Sequence, residues 1–196
     1  VKPGSHLQAL HEKISETGGG ASLTPAQALP ELRWMTVLYC DLGLRPEEGW
    51  GGDGILMSKV LGLIQRQGGT IVSTVGRGLL AVFGLGSGVE RAAERALLAV
   101  RDIQSGPASQ LPFRAGVHAG NVLVQATAQA PLLLGEVPDL AMLLGWSASE
   151  GEILLSDSVV LQARGSFEFE ALGERNLPGV AEAQTLFRLG AALEHP

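Results

Sequence analysis

GGTIVSTVGRGLLAVFG, residues Gly68–Gly84, holds two apolar runs, Thr70–Val75 and Leu79–Phe83, around the turn Gly76-Arg77-Gly78. β-branched residues on either side of a glycine-bearing turn predict a β-hairpin. A hairpin cannot bury its apolar face alone, and the flanking sequence supplies partners. Upstream, Arg33–Asp41 (RWMTVLYCD) is β-branched and aromatic and reads as a buried strand. Gly43–Gly54 reads as a loop, and Ile55–Gln67 as a helix, apolar at Ile55, Leu56, Val60, Leu63 and Ile64, that Gly68-Gly69 ends. Downstream, Val89–Ile103 carries the helical stripe Ala93, Ala96, Leu97, Val100, Ile103. Phe113–His118 and Asn121–Gln125 read as a strand pair about Ala119-Gly120. A helix over Pro138–Ala148 and a strand over Glu152–Leu155 follow. A short helix, Asp157–Ala163, and strands Phe167–Leu172 and Gln184–Leu189 close the chain. Strand, helix, two strands, helix, strand is the order of a ferredoxin-like βαββαβ unit. The fold class expected is α/β (α+β), an antiparallel or mixed central sheet with helices packed outside, on one face.

The chain has 196 residues, 45% apolar and 17% charged, enough for one domain with a sizeable core and too apolar for a disordered one. Its net charge of -6 argues against a nucleic-acid groove or an anionic membrane surface, both of which need a basic patch. Cys40 is the single cysteine, which leaves no disulfide framework and no thiolate cluster; it reads as a buried thiol. No apolar run approaches the roughly 20 residues that span a bilayer, and no signal peptide opens the chain. The first residue is Val1, not Met, pointing to a piece of something longer. Residues 1–31 divide into a helix, His6–Glu16 with Leu7, Leu10 and Ile14 on one face, and a flexible Gly/Ala/Ser/Pro linker. Residues 32–192 form the compact domain, and a cytoplasmic signalling fragment is the default expectation.

Six segments, in order, resemble the catalytic domain of class III adenylate and guanylate cyclases. VLYCDL resembles its first strand, and GGTIVSTVGRGLLAVFG its hairpin, usually GGxVxKxxGDGxxAxFG. AERALLAVRDIQ resembles the next helix, and FRAGVHAGNVLV the RxGIHxGxV strands. LLLGEVPDLAMLLGWSASEGEILLSDSV matches the segment carrying GDxVNxAARL and GEILVS, and FEFEALGERNLPGVAEAQTLFRL the closing strands. The resemblance covers about residues 33–190. It implies a head-to-tail dimer whose two aspartates hold two metal ions, with a Lys and an Asp reading the base, an Asn on the ribose and an Arg on the phosphates.

Residue by residue, that chemistry is missing. Asp41 matches the first metal aspartate, but Arg77 stands at the second. Ser73 replaces the base-reading Lys, and Leu132 falls where its Asp partner would be. Asp139 replaces the Asn, and Leu143 the Arg. A unit-charge pair at ~4 Å is worth about 4 kcal/mol at an effective dielectric near 20, and Arg77 reverses that sign for a cation. Losing one charge-stabilising donor costs roughly 100- to 1000-fold in rate, and here several are gone together. A homodimer does not restore them, because both halves of each composite site are affected. The loop after Asp41 adds Pro46, Glu47 and Glu48, which disfavour phosphate, against Arg45, which attracts it. The expectation is a non-enzyme with no catalytic residue, no metal and no cofactor, in which Asp41 and Arg77 form a salt bridge across the vacated metal position.

Other motifs read as structural. The GGDG of Gly51–Gly54 is a chance match, and His118 belongs to the strand pair. Trp34 and Trp146 pack in the core or on a dimer face, while Trp50 is the candidate for exposure. The function expected is a dimerisation and regulatory module of a multidomain signalling protein. It pairs with itself or another cyclase-like domain, beside attached signalling domains, with no nucleic-acid or membrane partner. A ligand sensor binding a nucleotide or small molecule at the dimer cleft, and a residual cyclase, are the alternatives.

Overall fold

The central strand β1, Glu31–Asp41, is buried without interruption from Met35 to Asp41. A strand with one wet face would alternate, so β1 must be covered on both sides. The computed structural model, which describes residues 29–43, 50–75, 78–86, 89–127 and 130–193, shows that cover. The expected His6–Glu16 helix and most of its linker lie outside the described residues.

After β1 come helix α1 (Trp50–Arg66), strands β2 (Thr70–Val75) and β3 (Gly78–Phe83), and helix α2 (Ala92–Ser105), entered through a 3-10 turn at Val89–Arg91. Then follow β4 (Arg114–Gln125), β5 (Leu132–Leu134), α3 (Glu136–Ser147), β6 (Ile153–Ser156), α4 (Asp157–Ala163), β7 (Phe167–Arg175) and β8 (Gln184–Ala192). The sheet runs β2-β3-β1-β4-β6-β8-β7, with β5 pairing the far end of β4. Every neighbouring pair is antiparallel except β4 and β6, so the sheet is mixed.

Helices lie on both faces, not one. Leu38 and Cys40 point to a core shared with Val60 and Ile64 of α1, Leu97, Val100 and Ile103 of α2, and Val159 of α4. Met35, Val37 and Tyr39 point the other way, to Leu80, Val82, Val122 and Val124 under Val137 and Ala141 of α3. The unbroken apolar runs VLYC and LLAVF are the mark of this two-sided burial. Glycine sets how closely α3 approaches. A Cβ on Gly116 of β4 would stand 2.2 Å from the Ala141 carbonyl oxygen and 2.3 Å from the Gly145 nitrogen.

Two other expectations change. β4 is one continuous strand, not a pair about Ala119-Gly120; Gly120 is there because a Cβ would meet Val137 at 2.8 Å. α1 begins at Trp50, so Gly51–Gly54 is helix and not loop. Among the described residues no helix is long and apolar enough to cross a membrane.

Among the described residues, one buried side-chain group goes unsatisfied. Thr36, between Phe83 and Ala119, is fully buried and its hydroxyl has no hydrogen-bond partner. Such an orphan costs about 1–3 kcal/mol, and valine keeps the shape without it. Thr36→Val is expected to raise stability by about 1 kcal/mol in urea unfolding; a loss would mean that the hydroxyl is satisfied after all.

Candidate functional site

Asp41 ends β1 on the α3 face, opposite Gly78 of β3 and Arg114 of β4. Its Oδ2 accepts from Arg114 Nε at 3.1 Å and Nη2 at 3.0 Å, and its Oδ1 accepts from the Gly43 amide at 2.9 Å. Gly43 itself has φ 63, and a Cβ there would meet Pro112 at 2.3 Å. So the carboxylate is buried, charge-paired and engaged at both oxygens. The expected partner, Arg77, lies outside the described residues; Arg114 was the neighbour the sequence reading missed. Its signal was the phenylalanine-flanked FRAG that starts β4, but only strand register sets it beside Asp41.

These residues do not fit the metal pair that the resemblance implies. Asp41 Oδ2 is paired with the Arg114 guanidinium and Oδ1 accepts the Gly43 amide, so a cation here would meet a positive neighbour, and among the described residues no three of His, Cys, Asp and Glu cluster to hold an ion.

The other positions separate into two places. Ser73 is exposed on β2, opposite Leu80, which in turn lies opposite Tyr39; it shares the Asp41 face, two strands away. Leu132 opens β5, 46% exposed and opposite Gln125, at the other end of β4 from Arg114. Asp139 and Leu143 are one turn apart on α3 and line a groove of about 450 Å³ with Glu136, Leu140, Val180 and Glu182. Asp41 does not line that groove. Among the described residues, three carboxylates and no Lys or Arg line it. Glu136 and Glu182 were not singled out from sequence, because the groove joins segments some 40 residues apart.

Tyr39 sits between the two places. Its hydroxyl accepts from Trp146 Nε1 at 3.0 Å, and the rings meet edge to face, centroids 5.9 Å apart at 78°. Burial raises the Tyr39 pKa, with the Trp146 hydrogen bond opposing. Trp146 and Trp34 are both partly exposed, so neither is a core residue. Cys40 is fully buried and its pKa is pushed up by that burial. Trp50's side chain lies outside the described residues.

His118 anchors a separate polar chain. Ser158 Oγ donates to the Ala119 carbonyl at 2.7 Å, and Ser156 Oγ lies 2.9 Å from Ser158 Oγ and 2.8 Å from His118 Nδ1. With the Ser158 proton on Ala119, Ser156 donates to Ser158 and accepts from His118, which places the imidazole proton on Nδ1.

Two outcomes follow from this geometry. Arg114→Met strands a buried carboxylate; a fully buried pair would lose 3–5 kcal/mol, but Arg114 is 31% exposed, so about 2 kcal/mol is expected. Adding Asp41→Asn should restore much of it, and strict additivity of the two variants in urea unfolding at neutral pH would refute the coupling. Burial lowers the His118 pKa, with the Asp157 carboxylate pulling the other way. The unfolded chain then binds more protons than the folded one below about pH 6.5. His118's contribution is therefore complete above that pH and lost as the pH falls through the folded-state value. His118→Asn should flatten the decline of unfolding free energy between about pH 7.5 and about pH 5.5; an unchanged slope would assign the decline to other groups.

No protein-family model matches the chain, and no curated protein matches it. Solved structures do. The adenylyl cyclase CyaB from P. aeruginosa superimposes with a TM-score of 0.71 at 18% identity, covering 83% of this chain and 96% of that one. The guanylate cyclase domain of RhGC from Catenaria anguillulae, in complex with GTP, gives 0.71 at 21% identity, over 83% and 100%. The non-canonical dimeric guanylyl cyclase domain of the RhoGC fusion protein from Blastocladiella emersonii gives 0.72 at 19%, over 83% and 99%. At these identities the likeness speaks for architecture, and the architecture is the one the six ordered motifs imply: the chain has the fold of a class III adenylyl or guanylyl cyclase catalytic domain.

Proposed function

We propose that this chain is a catalytically silent class III cyclase homology domain, acting as a dimerisation and regulatory module in a multidomain cytoplasmic signalling protein. The observation that carries this reading is the charge of the α3 groove. Glu136, Asp139 and Glu182 line it without a cation, at the helix whose Asp139 and Leu143 match the ribose and phosphate positions of the family. Even where solvent cuts each carboxylate–phosphate repulsion below about 1 kcal/mol, all three have the wrong sign for a triphosphate. At the other place, Asp41 is engaged by Arg114 and Gly43. The head-to-tail dimer that the resemblance implies would join these two places from different copies, and neither half brings the missing groups. The partner is a second copy or another cyclase-like domain.

A second reading has its own support. A groove of about 450 Å³ floored by Leu140, Leu143 and Val180 has the size and mixed lining of a small-molecule site. On this reading the fold is kept as a ligand sensor whose ligand is neutral or cationic. Its experiment is a thermal-shift screen with nucleotides and small molecules, with and without Mg or Mn; no shift favours pure protein–protein interaction.

The decisive assay incubates the purified chain with ATP or GTP and Mg or Mn. No cyclic nucleotide above the protein-free blank is expected. Product that disappears in Asp41→Ala would establish a residual cyclase and end the primary reading.

A further inference from the structure

The helices on the α1/α2/α4 face stop short of the end of the sheet. Thr36 and Ala119 are buried, but on the next row of the same face Trp34 is 44% exposed. Beyond that row β1, β4 and β5 run on as an arm. One side of it is covered, with Val122, Val124 and Leu133 packed toward Val137 of α3. The other side is open. Leu32 lies opposite Leu123, and Leu123 opposite Leu134, so three leucines form one row across three strands. Trp34 flanks that row on one side and Leu132 on the other. Leu32 is 68% exposed, Leu132 46% and Leu134 42%. An apolar face built in register across three strands marks a docking surface, unlike scattered exposed leucines.

We propose that this face is covered in cis by the chain's own residues 6–16, docked as an amphipathic helix through Leu7, Leu10 and Ile14. The place where the upstream chain joins selects this occupant. Leu29 and Pro30 lead into β1 beside the open rows, with 28 residues ahead of them. The lengths agree. An eleven-residue helix is about 16 Å long, and the span from the Leu132 row to the Trp34 row is about 14 Å. Twelve residues, Thr17–Ala28, rich in Gly, Ala and Ser, lie between residues 6–16 and Leu29, and a chain of that length and composition has a typical reach of roughly 19 Å. That is enough to fold the segment back, and it sets an effective concentration of about millimolar. A helix this short is marginal alone, so its order depends on the surface it covers.

The inference goes beyond catalytic silence and does not depend on it. It also gives the arm a regulatory position. β5 leads through Gly135 straight into α3, whose Asp139 and Leu143 line the groove, so the docked segment braces the strand that enters the groove helix.

Hydrogen exchange on the whole chain tests this. Amides across residues 6–16 are expected to exchange about tenfold or more slowly than a coil, equally at low and high protein concentration. Leu134→Glu and Leu10→Glu should each return them to coil rates. Leu10→Glu lies outside the compact domain and cannot unfold it, and circular dichroism confirms the fold of Leu134→Glu. Coil rates in the parent chain, or protection untouched by Leu134→Glu, would overturn the proposal. Protection that grows with concentration would overturn it too, by giving the face to a second copy.

Discussion

The contact of the α3 backbone with the sheet at Gly116 and Gly145 governs the rest of the molecule. A Cβ on either residue would overlap its neighbour, since one on Gly145 would stand 2.5 Å from the Tyr39 ring. Two glycines therefore let a helix lie on β4 and β1 with almost nothing between them. That seating buries the Met35–Val37–Tyr39 side of β1, which would otherwise be wet, and aims Trp146 at the Tyr39 hydroxyl. It also fixes the outward side of α3, where Asp139 and Leu143 meet the 179–184 segment. The groove is thus a consequence of backbone packing, and its charge can change without disturbing the seat that forms it.

Legibility followed from range. The strands, most helices and their order were plain because period and turn chemistry are local properties, and the Gly68–Gly84 hairpin alone fixes two strands. What failed was the meaning of glycine. Ala119-Gly120 looked like a turn and is a place for Val137; Gly51–Gly54 looked like a loop and starts a helix. A glycine written into a sequence does not say whether it serves a turn or a close contact. Side-chain partners were less legible still. Asp41 was recognised as a site position, but its guanidinium comes from residue 114, 73 positions away, through a register that local patterns do not encode. Glu182 enters the groove in the same way. The three-residue β5 was missed because three leucines between loops carry no periodicity.

The two chemically relevant places follow opposite electrostatic logics. At Asp41 a buried charge is neutralised internally: the guanidinium and an amide take over the pairing that a cation would otherwise provide. Ion pairs of this kind add little net stability over an apolar substitute, yet either partner alone is costly. That asymmetry holds both residues in place whatever else the site does. At the groove the carboxylates are exposed and have no ion-pair partner among the described residues, so Glu136 and Asp139 cost the fold little and even suit the positive end of α3. Selection for folding therefore accounts for the first place, and leaves the acidity of the second free to be set by whatever the groove meets.

On the proposed reading, a catalytically silent domain influences other domains only through shape and binding state. Here one ribbon spans the molecule: β1 and β4 pair over eleven consecutive residues, from Glu31 opposite Val124 to Asp41 opposite Arg114. Eleven consecutive pairings tie these two strands into one ladder. The compliant joint lies beside it, where β5 is held by three pairings and passes into α3 through Gly135 at φ 118, a backbone region that side chains disfavour. Ordering the arm thus acts on the short edge strand before it acts on the ladder, and the next element along the chain is the helix that shapes the groove. That joint bears on the outer surface of α3, and on the proposed reading that surface is what a partner reads.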